Sequence, residues 1–384
     1  MKFRISLIMI AIVAVVFTTG CWDQVELNDR AIEMAWGIDQ VSKSLVEISA
    51  QVIIPSRMQG QSSQGSQQKT FQVVSGRGIN TLEAVQDMQR QLSRVVFRSH
   101  RRAIFFGEDT AKQGLTDILD TYTRDPEIRL RTDVFVVKGM TAKDFLSVSF
   151  PFESIPGLGA LKEHTAMGGW GTEVFLDFLL SVNSEGTAPT LPLIQVTSQH
   201  GRKTGFEYSG RAIFNKQLRM VGELSSTQAQ LAFWIKSKNR YLTIGGKVPP
   251  KGNVAIVILN PRSHIVSHLG KKSVRFVITL YGDGNLRENN TELDMSKTDS
   301  IHIVERALER QMSKRALALI AHVQKDYGED IFGFGDTLHI QHPYYWKKVK
   351  GSWDSIFRHV QVRISTRISI KRVGLTGLPL HNRK

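Results

Sequence analysis

The sequence predicts a mixed α/β protein of the α+β type, with two to three domains whose mixed sheets are packed by helices. The chain has 384 residues, enough for two or three domains of about 100 to 200 residues each. Hydrophobic residues make up 41% and charged residues 22% of the chain, which excludes intrinsic disorder and a multi-spanning membrane protein. Strand-like and helix-like patterns alternate through its first half, which predicts sheets covered by helices.

Residues 1–20 have the layout of an export signal. Lys2 and Arg4 precede an apolar run from Ile5 to Phe17 that only Ser6 interrupts. As a helix this run would rise roughly 20 Å, less than the roughly 30 Å hydrocarbon core of a bilayer. A spanning helix is therefore the weaker interpretation.

Cys21 is the only cysteine, which excludes an intrachain disulfide and a cysteine-based zinc site. The small residues before it resemble a bacterial lipoprotein signal. We expect Cys21 to become the mature N-terminus and to carry covalent diacylglycerol and an N-acyl lipid, with no other cofactor. Thr18 departs from the pattern, since such signals usually carry Leu, Val or Ile at that position. The alternatives are an uncleaved anchor followed by a buried Cys21, and an ordinary cleaved signal.

An N-terminal mixed α/β domain is predicted over residues 21–195. Apolar residues at every second position of 46–54 predict a strand with one buried face. Residues 59–68 contain only Gln, Gly and Ser and predict a long loop. Asn80 stands where the cap of a following helix would be. Further strands are predicted at 102–106 and 132–137, with a helix at 111–122 between them.

A small middle domain is predicted over 196–255, where a hairpin at 210–223 and a helix at 224–235 precede a glycine- and proline-rich segment. Gly245-Gly246-Lys247 in that segment is interpreted as a turn. The C-terminal α/β domain is predicted over 256–384. It contains a long helix at 301–327, marked by an apolar stripe that Gly328 follows, and a strand at 359–372.

We find no motif for catalysis or for a metal. Gly333-Phe334-Gly335-Asp336 lacks the third glycine of a dinucleotide fingerprint, and a tight turn explains it. His339 and His342 have partial metal-ligand spacing, but no cysteine is available to complete a site. No Gly-x-Ser-x-Gly elbow occurs. The sequence therefore predicts a protein that is not an enzyme and has no catalytic, cofactor-binding or metal residues.

The chain is strongly basic, with a formal charge of +15 and a pI near 9.9. Removal of Lys2 and Arg4 with the signal leaves 48 basic against 35 acidic residues. Because export removes the chain from genomic DNA, nucleic acid is not expected as a partner. The charge favours contact with anionic lipid or a wall polymer.

Several segments together resemble one family, the Ger(x)C lipoproteins that form the C subunits of bacterial spore germinant receptors. In chain order these segments are Cys21-Trp22-Asp23, Trp36-Gly37-Ile38-Asp39, His100 with Ile104-Phe105-Phe106-Gly107-Glu108, Arg124-Asp125-Pro126-Glu127-Ile128-Arg129, Gly210-Arg211-Ala212-Ile213-Phe214 and Asp330-Ile331-Phe332-Gly333-Phe334-Gly335, followed by Pro343, Trp346, Trp353 and Phe357. The likeness extends from residue 21 to about residue 376.

The resemblance implies a non-catalytic, lipid-anchored subunit of a nutrient receptor required for spore germination. It implies a position on the outer face of the spore inner membrane, beside two integral membrane subunits of the A and B types. Two other hypotheses stay open at this point. One is a lipid-anchored solute-binding module that contacts the nutrient directly, and the other is an exported hydrolase, which the missing nucleophile motifs disfavour.

Overall fold

The computed structural model describes residues 30–54, 70–124, 129–150, 153–166, 174–199, 202–270, 273–375 and 377. Within them the strands are β1 (Arg30–Ser42), β2 (Leu45–Ile53), β3 (Phe71–Gly78), β4 (Val95–Phe97), β5 (Ala103–Gly107), β6 (Asp133–Lys138), β7 (Thr190–Gln199), β8 (Arg202–Phe214), β9 (Met220–Ser225), β10 (Tyr241–Lys247), β11 (Asn253–Leu269), β12 (Val274–Asn289) and β13 (Gln361–Arg372). The helices are α1 (Thr81–Gln89), α2 (Glu108–Gln113), α3 (Thr116–Arg124), α4 (Ala142–Ser147), α5 (Pro156–Ala166), α6 (Phe175–Val182), α7 (Ser226–Ile235), α8 (Thr298–His322), α9 (Phe334–Gln341), α10 (Pro343–Val349) and α11 (Trp353–Phe357).

The first domain is built on one mixed sheet with the strand order β3-β2-β1-β5-β6-β7-β8-β9, to which β4 adds beside β1. Strands β1, β5, β6 and β7 are parallel neighbours, and the outer pairs are antiparallel. Parallel neighbours need crossover connections, which α2 and α3 supply between β5 and β6. Every residue of β5 is buried, because helices cover both faces of the central strands.

Two hydrophobic cores lie on opposite faces of this sheet. Helices α1, α2, α3 and α6 pack on one face, where the rings of Trp36 and Tyr122 meet edge to face. Helices α4 and α5 pack on the other face, around a cluster of Phe105, Phe135 and Phe145. The first domain thus has three layers.

The second domain is built on a sheet with the order β10-β11-β12-β13, in which only β12 and β13 are parallel. One face of this sheet packs against α7 to α11, and Trp234, Trp346 and Trp353 are fully buried there. The prediction of mixed sheets packed by helices is confirmed, with a two-domain architecture.

The long helix expected over 301–327 consists of α8 and a π-helical turn at Val323–Tyr327. Its apolar stripe is buried against the second sheet. The predicted helix end at Gly328 is confirmed, since this residue has a φ of 73° in the left-handed region. The strand expected over 359–372 corresponds to β13.

Residues 196–255, expected as a small middle domain, have no sheet of their own. β8 and β9 extend the first sheet, whereas β10 and the start of β11 belong to the second. A hairpin pattern in the sequence predicts that two segments pair with each other, but it does not predict which sheet they join. Because an isolated hairpin is at best marginally stable, these segments join larger sheets.

The turn interpretation of Gly245-Gly246-Lys247 was wrong, because these residues lie in β10 opposite 253–255. Position 246 suits glycine because of close packing and not because of a turn. A Cβ atom there would lie 2.7 Å from Leu308 Cδ2, so α8 packs directly over the strand.

Candidate functional site

A cleft of about 570 Å³ lies between the two domains. The first domain contributes α6 and the segment after it, and the second contributes the end of α7, part of β11 and the start of α9. The residues that line the cleft are Asp177, Leu180, Ser181, Ser184, Thr187, Ile235, Lys236, Lys238, Ser263, His264, Ile265, Phe332, Gly333, Asp336, Thr337, Ile340 and Gln341.

The loop that brings Phe332 and Gly333 to the cleft is built around the buried carboxylate of Asp330. One carboxylate oxygen accepts hydrogen bonds from the backbone N–H groups of residues 332, 333 and 334, at 3.1, 3.0 and 3.2 Å. The other accepts from the N–H of Gly335 at 2.8 Å and from the indole of Trp353 at 3.0 Å. A single side chain therefore holds the turn that begins α9.

The two acidic residues of this loop have raised pKa values. Burial raises the pKa of Asp330 to about 6, against the opposing effect of its N–H donors. Burial and the nearby charge of Asp354 raise the pKa of Glu329 to about 7, while Lys216 and Arg358 oppose that rise. Asp330 is accordingly mostly ionised at neutral pH, whereas Glu329 titrates close to neutral pH.

Polar contacts join the two domains beside this loop. The carboxylate of Asp336 accepts hydrogen bonds from the hydroxyl groups of Ser184, at 2.9 Å, and Thr187. The N–H of Ala188 donates to the carbonyl oxygen of Asp330 at 2.7 Å. Gly186 lies so close that a Cβ atom on it would be 2.5 Å from the backbone nitrogen of Asp336. These contacts hold the two domains together along one wall of the cleft.

A second contact between the domains involves Tyr327, at the end of the π-helical turn. Its hydroxyl donates to the carbonyl oxygen of Glu223 in β9 at 3.0 Å. Its ring lies on Gly222, where a Cβ atom would be 2.1 Å from the ring. Only glycine leaves room for this ring.

The cleft combines apolar walls with charges of both signs. Leu180 and Ile340 are 62% and 82% exposed at its rim. Asp177 lies on the first-domain side, and Lys236 and Lys238 lie on the second-domain side. Such a lining suits a small amphipathic solute that has both an amine and an acidic group.

The segments Trp36-Gly37-Ile38-Asp39 and Ile104-Phe105-Phe106-Gly107 lie side by side in β1 and β5. The Asp39 carboxylate accepts from the N–H groups of Ala142 and Lys143 at 2.8 and 2.9 Å, and so caps α4. A Cβ atom on Gly107 would lie 2.3 Å from Asp39 Oδ1. These residues serve the packing of the first domain.

Cys21, the one site residue predicted from the sequence, lies outside the described residues, as do Asp23 and Asp125. β1 begins nine positions after Cys21. The His339 ring stacks on Trp346, and His342 Nε2 lies 3.2 Å from the carbonyl oxygen of Ser267. In the part of the chain that the structure describes, no three His, Cys, Asp or Glu side chains form a metal-binding group. None of the described helices has the length and apolarity to cross a bilayer.

Sequence reasoning missed the junction residues. Asp330, Gly335 and Asp336 were noted only as parts of segments, and Ser184 and Thr187 carried no signal. About 150 residues separate Asp336 from its hydroxyl partners, so only the fold brings them together.

Comparison with known proteins gives a consistent result along the chain. A family profile described as "Spore germination protein N-terminal domain" matches residues 23–196. A second, described as "Spore germination B3/ GerAC like, C-terminal", matches residues 209–374. The chain is similar to three proteins of Bacillus subtilis (strain 168). "Putative spore germination protein YfkR" is 26% identical, covering 98% of each chain. "Spore germination protein KC" is 24% identical, covering 97% of each. "Spore germination protein B3" is 26% identical, covering 93% of this chain and 95% of the relative.

One solved structure has the same fold. The crystal structure of the GerBC protein matches with a TM-score of 0.57 at 18% identity, covering 88% of this chain and 97% of that one. The two-domain architecture is therefore shared with that protein.

Proposed function

Because the chain belongs to the Ger(x)C family of spore germination proteins, we propose that it is a non-catalytic, lipid-anchored subunit of a nutrient receptor that spores need in order to germinate. The observation that carries this proposal is the match of both family domains over 23–196 and 209–374. A role in spore germination follows from the family. We further propose that the protein has a lipid anchor, that it belongs to a receptor complex and that it is not a catalyst.

The geometry supports a structural and coupling role. The segments on which the family resemblance rests are used to cap α4, through Asp39, and to hold the junction loop, through Asp330. Both carboxylates accept hydrogen bonds from backbone N–H groups of their own domain. Two domains joined in this way therefore suit a subunit that transmits a signal or supports the assembly of a complex better than they suit an enzyme.

The anchor is proposed from the N-terminal sequence. Small residues before Cys21 suit lipid attachment, and each buried methylene of an acyl chain adds about 0.8 kcal/mol of membrane affinity. Two or three such chains would hold the protein on the outer face of the spore inner membrane. There it would meet the two integral membrane subunits, of the A and B types.

The proposal is tested with spores that lack this gene. We expect their loss of optical density to fail with one class of nutrient, while a trigger that bypasses nutrient receptors still acts. A normal response to every nutrient in spores without related genes would contradict the receptor role. Failure with the bypass trigger would place the protein downstream of the receptor.

A second candidate function, direct contact with the nutrient, is favoured by the cleft and its paired charges. The chain from Trp22 onward should then melt at a higher temperature with one amino acid or sugar of a panel, because a ligand at 100 times its Kd adds about 2.7 kcal/mol. Lys238→Gln should reduce the shift, and Lys347→Gln, on α10, should not. No shift across the panel would count against this candidate.

A further inference from the structure

Within the part of the chain that the structure describes, one face of the second sheet has no covering layer. On β12 the even-numbered residues from 274 to 286 are buried against the helices, and the odd-numbered residues from 275 to 285 are exposed or half-buried. The same alternation continues on β13, where Arg363 and Arg367 are exposed. This uncovered side is therefore an open surface across neighbouring strands.

The strand register places four arginines together on that side. Arg275 lies opposite His268, and Tyr281 lies between Arg262 and Arg367. Arg363 lies opposite Val277. We call this surface the basic face, and it is marked by Arg262, His264, His268, Arg275, Arg363 and Arg367. The other positions on this side within 262–268, 275–281 and 361–367 are uncharged.

These arginines take part in no ion pair within the described ranges. None of Arg262, Arg275, Arg363 and Arg367 forms an ion pair with a residue of the described chain. The nearest carboxylate along β12 on the same side, Asp283, lies 3.7 Å from Lys371. The N–H donors of each guanidinium are thus available for binding, and their planar arrangement matches the oxygen atoms of a phosphate group.

The form of the surface favours a lipid bilayer over an acidic peptide. Strand addition is blocked at the end of β13, because Glu309 and Glu305 on α8 accept the outward N–H groups of Ile368 and Ile370 at 2.9 and 2.8 Å. The charges spread over three strands, with about 13 Å along the strand between Arg363 and Arg367. Tyr281, half-buried between two arginines, has the amphipathic ring found at membrane interfaces.

We propose that the basic face docks on the anionic phospholipid headgroups of a bilayer. The identity of that membrane rests on the proposed function, since a lipid at Cys21 would hold the protein beside it. The contact adds to the anchor and fixes which side of the second domain faces the lipid. Each arginine near an anionic surface adds to the attraction, so several arginines without ion pairs make a substantial contribution.

The test measures binding to vesicles by the chain from Trp22 to Lys384, which retains every described residue and all three cores but lacks the apolar residues 5–17. Vesicles of phosphatidylcholine alone are compared with vesicles that also contain phosphatidylglycerol. We expect binding only to the anionic vesicles, and loss of binding in high salt. Arg363→Gln with Arg367→Gln should weaken binding about thirtyfold.

The matched control is Arg306→Gln with Arg310→Gln, which removes the same charge from the exposed side of α8, on the other side of the sheet. Its binding should change less than about threefold, because it lies away from the proposed contact. Equal weakening by both pairs would overturn the proposal, since net charge alone would then explain binding. Binding to polyglutamate but not to anionic vesicles would also overturn it and assign the face to an acidic protein. Either failure leaves the germination phenotype of the deletion unaffected, so the two proposals are tested separately.

Discussion

At the scale of single residues, the junction loop depends on Asp330. Asp330→Ala leaves four backbone N–H groups and the Trp353 indole without their buried acceptor. We expect the free energy of unfolding to fall by about 3–5 kcal/mol in urea titration. Asp120→Ala is the control, because its carboxylate pairs with Arg124 on the surface, and it should cost less than about 1 kcal/mol. Equal losses in the two variants would refute this role for Asp330.

The raised pKa of Glu329, in the same loop, predicts that the free energy of unfolding depends on pH. Its pKa is about 7 in the folded protein against an ordinary value of 4.5, so the unfolded chain releases its proton first as pH rises. The contribution of Glu329 to stability is thus highest below about pH 4.5 and falls until pH passes about 7. Glu329→Gln removes this fall, so the variant should gain about 1–2 kcal/mol on the wild type between pH 5 and 8, since partial exposure reduces the effect. Parallel stability curves over that range would contradict the raised pKa.

Cys21 carries the prediction about the anchor. Cys21→Ala removes the thiol to which lipid would attach, so we expect the protein to leave the membrane fraction of spores and the nutrient response to weaken. Fractionation followed by immunoblotting measures the first effect. Cys21→Ser serves as a second variant without a lipid acceptor and should behave in the same way. Full retention of both variants on membranes would show that an uncleaved apolar segment holds the protein.

At the scale of elements, glycines mark where a helix contacts a strand. Gly76 in β3 lies under α1, and a Cβ atom there would be 2.2 Å from the Ala84 carbonyl oxygen and from the Met88 nitrogen. Gly76→Ala must therefore displace α1, and we expect a loss of about 2–3 kcal/mol in urea unfolding. Gly245→Ala is the matched change in β10, where the nearest atom is 3.5 Å away. That variant should be neutral or slightly stabilised, and a larger loss there than at Gly76 would be the contrary result.

Elements with a local signal could be predicted from the sequence. Asn80 caps α1 by accepting from the N–H of Glu83 at 3.0 Å, as expected from the residues alone. The apolar stripe along α8 likewise predicted which face of this helix packs on the sheet. The helix expected over 111–122 is instead α2 and α3, because Gly114 has a φ of 122° and interrupts it. Local patterns report propensity, and they miss a break that depends on one backbone angle.

At the scale of the whole molecule, the sequence did not reveal how distant segments meet. The hairpin of β8 and β9 was recognised, but its place in the first sheet depends on pairing with β7. The cleft is formed by residues from 177 to 341, so no stretch of sequence contains it. Cys21 could be predicted as a lipid-attachment site because such attachment depends on a short linear signal, whereas the junction depends on contacts between residues about 150 positions apart.

Those contacts predict that the two domains unfold together. Gly186 meets the backbone of Gly335 and Asp336 across the junction, and α7 packs residues of both domains into one core. Calorimetry should therefore show one transition whose calorimetric and van't Hoff enthalpies agree. Gly186→Val should force the domains apart and split this transition in two. Gly351→Val is the control, because no atom lies within 4 Å of the position that a Cβ atom would take on Gly351. This variant should keep one transition. Two transitions in the wild type would show that the junction does not couple the unfolding of the two domains. A signal from a ligand bound in the cleft would then have to pass through one domain alone.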